Sequence, residues 1–235
     1  MKEILIWSDF ICPFCYIGEK RLKDALADLG LSKEFTISYR AFELNRHAPK
    51  ETEDSIQELL AKKYSMTLED AMKKIDEINR AGNESGLVMN YGTAKSSNTL
   101  DAHRLMRLAQ EVYGNEVANK LADQLFLAYF TENRRLSDHE VLEQCAVNAG
   151  MPTEEISRVL NSDRFVKQVR NDENEAEALG VRGVPFIVFN GKVAVPGALS
   201  VDDFKKVIKE VLDNEPIDDV AGRAQSCDEN GCRVN

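Results

Sequence analysis

Cys12 and Cys15, separated by Pro13 and Phe14, are the residues whose types and spacing most directly suggest chemistry. Two sulfurs flanking one turn at a helix start are close enough to form a disulfide and to open it again. The first sulfur sits where unpaired backbone N–H groups and the helix dipole favour negative charge. Cys12 is therefore expected to attack, and Cys15, one turn inside the helix, to be the buried resolving thiol. Pro13 suits the first helical position, whose N–H has no intrahelical partner. Exchange would pass through a mixed disulfide on Cys12, which Cys15 releases. Pro13 and Phe14 are placed to influence the reduction potential of the pair. The same spacing also serves half of a zinc site, or two small apolar positions. Its place between a strand and a helix of a βαβ unit favours the redox reading.

A second pair, Cys227 and Cys232, lies near the C-terminus around Asn230-Gly231, a turn-forming dipeptide. It can close a small disulfide loop, remain as two surface thiols, or bind metal. The redox pair is the reading preferred here. Cys145 falls among Leu142, Ala146 and Val147 and is expected to be a small core residue. His47, His103 and His139 show no metal-ligand spacing. His103, at the edge of an apolar helix stripe, is expected to be buried and bonded to a neighbour. Asp172, Glu173, Glu175 and Glu177 are expected to form a solvated helix face.

The elements that must position the first dithiol follow from hydrophobic periodicity. Ile4–Trp7 is a short buried strand. A helix follows with Cys15, Gly18, Leu22, Leu26 and Leu29 on one stripe and Gly30 placed to end it. Phe35, Ile37 and Tyr39 alternate with polar residues as a half-buried strand. Strand, helix and strand in this order suggest a right-handed βαβ unit. Residues 50–180 are helical and hold no convincing strand. One helix is expected from Asn98 to Tyr113, another after a capping box at Ser137–Glu140, a third from Pro152-Thr153 and a longer one from Ser162 to Leu179. Val184–Phe189 is again a strand, Asn190-Gly191 a two-residue hairpin turn, and Lys192–Val195 the return strand. A last helix runs from Ser200 to about Leu212. From Asp213 the chain carries six acids and two arginines with few large apolar residues. That composition predicts a weakly packed segment.

The 235-residue chain has 40 acids against 30 Lys and Arg, a formal charge of -10. This excludes a general nucleic-acid binder, which needs a basic footprint, and a protein held to anionic lipid. No stretch approaches the ~20 apolar residues of a membrane span. The apolar run Ile4–Trp7 is too short for a signal-peptide core. Five cysteines are too few for a disulfide scaffold, so a reducing cytoplasm is the expected compartment.

The segments Trp7–Gly18, Asn98–Leu105 and Gly180–Phe189 together resemble the DsbA-like, FrnE-type branch of the thioredoxin superfamily, in order over about residues 3–212. The resemblance implies an α/β fold: a thioredoxin-like domain, βαβ plus ββα around a mixed sheet, with a large inserted helical domain and a C-terminal tail. The expected bounds are 1–48 and 176–213 for the two parts of the thioredoxin-like domain, 49–175 for the insert and 214–235 for the tail. The resemblance also implies that Cys12 is the nucleophile, Cys15 the resolving cysteine and Pro185 a cis proline preceded by Val184. A cis bond would turn the Val184 backbone toward the dithiol, where it could hold an extended peptide as an added strand. An ordinary trans proline opening a strand is the alternative from the residues alone. Some members of this branch carry an additional Cys-x4-Cys, as at Cys227 and Cys232.

The expected activity is thiol–disulfide exchange, with disulfide isomerisation included, on protein or small-molecule thiols and without a cofactor. Two rivals remain at this point. One is a glutathione-dependent isomerase or transferase of a related branch, which typically has serine where this chain has Cys12. The other is a zinc-binding, redox-sensing interaction protein.

Overall fold

The computed structural model describes residues 2–213, 226–228 and 231–233. The expected βαβ unit opens the chain as β1 (Lys2–Ser8), α1 (Pro13–Asp28) and β2 (Phe35–Ala41). β1 and β2 pair in parallel from Lys2↔Phe35 to Ser8↔Ala41. Ile4, Ile6 and Trp7 of β1 are buried, as suits a central strand. Past the end of α1, Gly30 adopts a φ of +71°, a left-handed turn that glycine enters without steric cost.

The chain then builds α2 (Ile56–Tyr64), α3 (Leu68–Glu84), α4 (Leu100–Leu108), α5 (Asn115–Phe126), α6 (His139–Asn148), α7 (Thr153–Leu160) and α8 (Val166–Ala178). Three expectations change in detail here. The helix expected through Tyr113 widens into a π turn over Ala109–Tyr113. The helix expected from Ser162 begins at Val166, because Phe165 takes a left-handed φ of 69° and interrupts it. The cap of α6 is Asp138, whose side chain accepts the Glu140 N–H, rather than Ser137.

After α8 come β3 (Gly183–Val184), β4 (Phe186–Phe189), β5 (Val193–Pro196) and α9 (Val201–Asp213). β4 pairs antiparallel with β1, giving a four-stranded mixed sheet in the order β2-β1-β4-β5. The hairpin between β4 and β5 turns at Asn190 and Gly191, with φ of 51° and 66°, the pair of positive angles that a two-residue turn needs. α1 packs beside α9, while α5 and α8 pack against β2. Among the described residues, no helix is long and apolar enough to cross a membrane.

The C-terminal segment departs from the weakly packed tail expected. β6 (Ser226–Asp228) and β7 (Gly231–Arg233) form a hairpin that adds to β3, in the order β3-β6-β7. The physical reason is the edge of β3. The chain changes sheet at Pro185, so Gly183 and Val184 stand outside the main sheet and offer their backbone groups to another strand. Cys227 is 1% exposed. The proposed Asn230 turn and the linking stretch 214–225 lie outside the described residues.

Candidate active site

The site is built from the N-terminus of α1 and the turn between β3 and β4. Cys12 is the extended N-cap residue (φ -88°, ψ 114°), and Pro13 follows it in the first turn. The Cys12 N–H donates to the Asp9 carbonyl at 3.0 Å, and the Cys12 carbonyl accepts the Cys15 N–H at 3.1 Å. Both cysteines are free thiols. Cys12 is 0% exposed and Cys15 2%. Burial, and then the neighbouring Cys12 sulfur, push the Cys15 thiol well above its ordinary range.

The far side of the site is Val184. The Val184–Pro185 bond is cis, and the Cys12 thiol donates to the Val184 carbonyl at a sulfur–oxygen distance of 3.6 Å. Gly18 makes this approach sterically workable. A Cβ there would lie 3.0 Å from Ala198 Cβ and 3.2 Å from Pro185 Cγ. Pro13 and Phe14 are both buried. Cys227 stands opposite Val184 in the β3–β6 ladder, with Gly183 opposite Asp228. Cys227 is disulfide-bonded, and its backbone faces Cys232 across the hairpin.

Only half of the acidic run on α8 is a solvated face. Asp172 and Glu173 are buried, while Glu175 and Glu177 are exposed. Backbone N–H groups at and just beyond the end of β2 need acceptors, and these two carboxylates supply them. Asp172 Oδ2 accepts the Ala41 N–H at 3.0 Å, and Glu173 Oε1 accepts the Glu43 N–H at 3.2 Å. Arg107 pairs with Asp172, and Arg170 with Glu43 and Glu173. Burial raises the Asp172 and Glu43 carboxyls above their ordinary values.

His103 is buried as expected, with its ring 5.0 Å from that of Phe10. Cys145 is also buried, its thiol 3.7 Å from the Gln124 carbonyl, and burial pushes its pKa up to about 11. Among the described residues no cluster of three His, Cys, Asp or Glu side chains is arranged to hold a metal ion. His139 pairs with Asp101 at 2.9 Å, and His47 is exposed.

One neighbour of the dithiol carried no signal in the sequence. Tyr91, on the link between α3 and α4, is buried within electrostatic range of Cys12, and burial followed by the Cys12 charge raises its phenol. A lone Tyr-Gly in a helical region has no periodicity that marks it. A cavity of about 250 Å³ also opens beside α1, lined by Tyr16, Glu19, Lys20, Lys23, Asp123 and Gln124 among others.

A dithiol that starts the helix after the first strand, set against a cis proline where the chain enters a central antiparallel strand, defines a thioredoxin-fold protein. The chain belongs to the DSBA-like thioredoxin domain family, which it matches over residues 3–209. The probable DsbA oxidoreductase SCO1869 from Streptomyces coelicolor superposes with a TM-score of 0.84 at 31% identity, over 100% of both chains. The cytosolic disulfide reductase DsbM from Pseudomonas aeruginosa superposes with a TM-score of 0.61 at 13% identity, over 90% of this chain and 99% of that one. The Bacillus subtilis protein YwbO is 23% identical over 210 residues, covering 88% of this chain and 96% of its own.

Proposed function

We propose that the protein exchanges thiols and disulfides through attack by Cys12 and resolution by Cys15. The observation that carries this reading is the 3.6 Å approach of the Cys12 sulfur to the Val184 carbonyl beside Pro185. In the reductive direction, the Cys12 thiolate attacks one sulfur of a substrate disulfide, and the other sulfur leaves as a thiolate. Cys15 then gives up its proton and attacks the Cys12 sulfur. This releases the second substrate thiol and leaves a Cys12–Cys15 disulfide, with two electrons passed to the substrate. The reverse sequence oxidises a dithiol, and repeated attack and release isomerises disulfides.

Val184 and Pro185 form the docking strand, whose backbone groups suit an extended peptide. Pro13 and Phe14, between the sulfurs, tune the potential. Cys227 and Cys232 form a second redox pair that exchanges with Cys12 and Cys15. Residues 1–48 and 176–213 make the thioredoxin-like domain, 49–175 the helical one and 214–235 the tail. The substrates are disulfide-bearing proteins and small thiols of the cytoplasm, not nucleic acids or membranes.

Insulin reduction and scrambled-disulfide refolding test the reading on wild type, Cys12→Ser and Cys15→Ser. Cys12→Ser should lose both activities. Cys15→Ser should accumulate a mixed disulfide on Cys12. A Cys12→Ser protein that keeps wild-type rates would refute the assignment.

A second reading, a glutathione-dependent isomerase or transferase, is favoured by the cavity beside α1, whose Tyr16 lies one turn after Cys12. It requires activity that depends on glutathione and survives Cys15→Ser.

A further inference from the structure

The Cys12 sulfur must meet a partner as large as a polypeptide, yet no part of Cys12 is exposed. The C-terminal hairpin lies against the two elements that build this region. β6 pairs antiparallel with β3, the two-residue strand that ends at Val184. It also packs against α1, the helix that Cys12 caps, while β7 packs against α2. The hairpin therefore ties the docking strand to a helix of the inserted region. Its Cys227 is buried and stands directly opposite Val184. Val184 in turn holds the Cys12 thiol.

We propose that β6 is a tethered occupant of the substrate strand, so that a polypeptide must displace it before its cysteine reaches Cys12. This rests on the reading above, in which Val184 docks the substrate. It adds the direction and register of that substrate. An incoming chain runs antiparallel to Gly183–Val184 and sets its own cysteine where Cys227 now stands. Backbone pairing in such a strand addition is sequence-tolerant, so the tail and a foreign peptide compete for the same groups. The tail has the advantage of tethering, which supplies an effective concentration of order millimolar when the linker spans the gap. Small thiols need no strand pairing, so a local opening beside Cys12 admits them without displacing β6 from Gly183–Val184.

The test starts from fully oxidised protein, in which no free redox thiol can attack the tail. A reduced cysteine-containing peptide and a small thiol are each used to open the Cys12–Cys15 disulfide, followed by alkylation and peptide mapping. The full chain is compared with Asp228→Pro, which removes a ladder donor from the middle strand of the small sheet. A chain ending at Asp213, checked for its thermal transition, serves as the second variant. Both variants should react with the peptide about tenfold faster or more, as expected when the competent state is a tenth populated or less in the parent. The small thiol should change by less than about threefold. An unchanged or slower peptide reaction overturns the proposal. An equal gain for both reagents also overturns it, because the hairpin then only shields sulfur. If neither reagent opens Cys12–Cys15 in the shortened chain, the exchange reading itself fails.

Discussion

The Oδ1 oxygen of Asp9 stands 3.5 Å from Nε2 of His103, and both side chains are buried. Asp9 is anchored from its other oxygen, which accepts the Leu44 N–H at 2.7 Å. Burial opposes charge on the imidazole, but Asp9, Glu43 and Glu173 outweigh it and hold the His103 pKa above its ordinary value. A raised folded pKa stabilises the protein below the unfolded value and loses that contribution as pH rises through the folded one. Unfolding free energy should therefore fall as pH climbs from about 6.5, the unperturbed histidine value. Urea titrations at several pH values should show this component in wild type and lack it in His103→Gln. A wild type that gains stability relative to the variant over this window contradicts the arrangement.

Gly18 gives a second prediction, because the space for a side chain there is already filled. Its Cβ would stand 3.0 Å from Ala198 Cβ, tighter than ordinary contact. Gly18→Ala must push α1 away from Pro185 and Ala198. Overpacking of this kind typically costs about 1–3 kcal/mol. Denaturant midpoints should fall accordingly, and disulfide exchange should slow because Cys12 and Val184 separate. Unchanged stability and rate would show that the two elements can part freely.

Cys145 should be chemically silent in the native protein. With its pKa pushed up to about 11, only about a thousandth of it is thiolate at pH 8, against about a quarter for a free cysteine of pKa near 8.5. Alkylation of the native chain followed by peptide mapping should find Cys145 at least about a hundredfold slower than in denaturant. Early labelling of Cys145 would place it outside the core.

Much of the candidate site was legible because its parts are local. Cys12 and Cys15 lie one turn apart, Pro13 suits the first turn, and Asn190-Gly191 marks the hairpin beyond Pro185. The resemblance supplied the cis bond at Pro185. What the sequence hid depends on distant backbone. Asp172 and Glu173 read as solvent-facing because their partners, the N–H groups of Ala41 and Glu43, lie about 130 residues earlier. Cys227 read as part of a loose tail because nothing in residues 213–235 announces that Gly183 and Val184 offer an edge. Tyr91 comes within electrostatic range of Cys12 only through the packing of the inserted helices.

The α8 carboxylates give a prediction of their own. Asp172 serves Ala41 and Arg107 together, with 3% of its side chain exposed. Asp172→Ala leaves the Ala41 N–H without its acceptor and Arg107 without its counter-ion. Breaking a buried pair from one side costs about 3–5 kcal/mol. A urea series should show that loss, whereas Glu177→Ala, on the exposed side of the helix, should stay within about 0.5 kcal/mol of wild type. Equal effects would mean that α8 presents a different face.

The last prediction concerns transfer between the two cysteine pairs. Cys227, which is disulfide-bonded, stands opposite Val184 in the ladder, and the Val184 carbonyl accepts from the Cys12 thiol, so one residue of β3 meets both cysteines. In the proposed Cys227–Cys232 disulfide, attack by Cys12 on Cys227 would expel the Cys232 thiolate. Cys15 would then attack Cys12 and free Cys227, leaving Cys12–Cys15 oxidised and the tail reduced. The chemistry consumes no outside reagent, so it should be first order in protein. Preparing the chain with Cys12–Cys15 reduced and the tail oxidised, then quenching with acid and mapping disulfides, follows the transfer directly. The first-order rate constant should not depend on protein concentration. It should exceed that of a separate oxidised tail peptide at micromolar level by about a thousandfold, the ratio of a millimolar effective concentration to a micromolar one. Cys15→Ser should halt the sequence at a Cys12–Cys227 bond. An observed rate constant that grows in proportion to protein concentration would mean that transfer occurs between molecules, and absence of the Cys12–Cys227 species would remove the tail from the exchange.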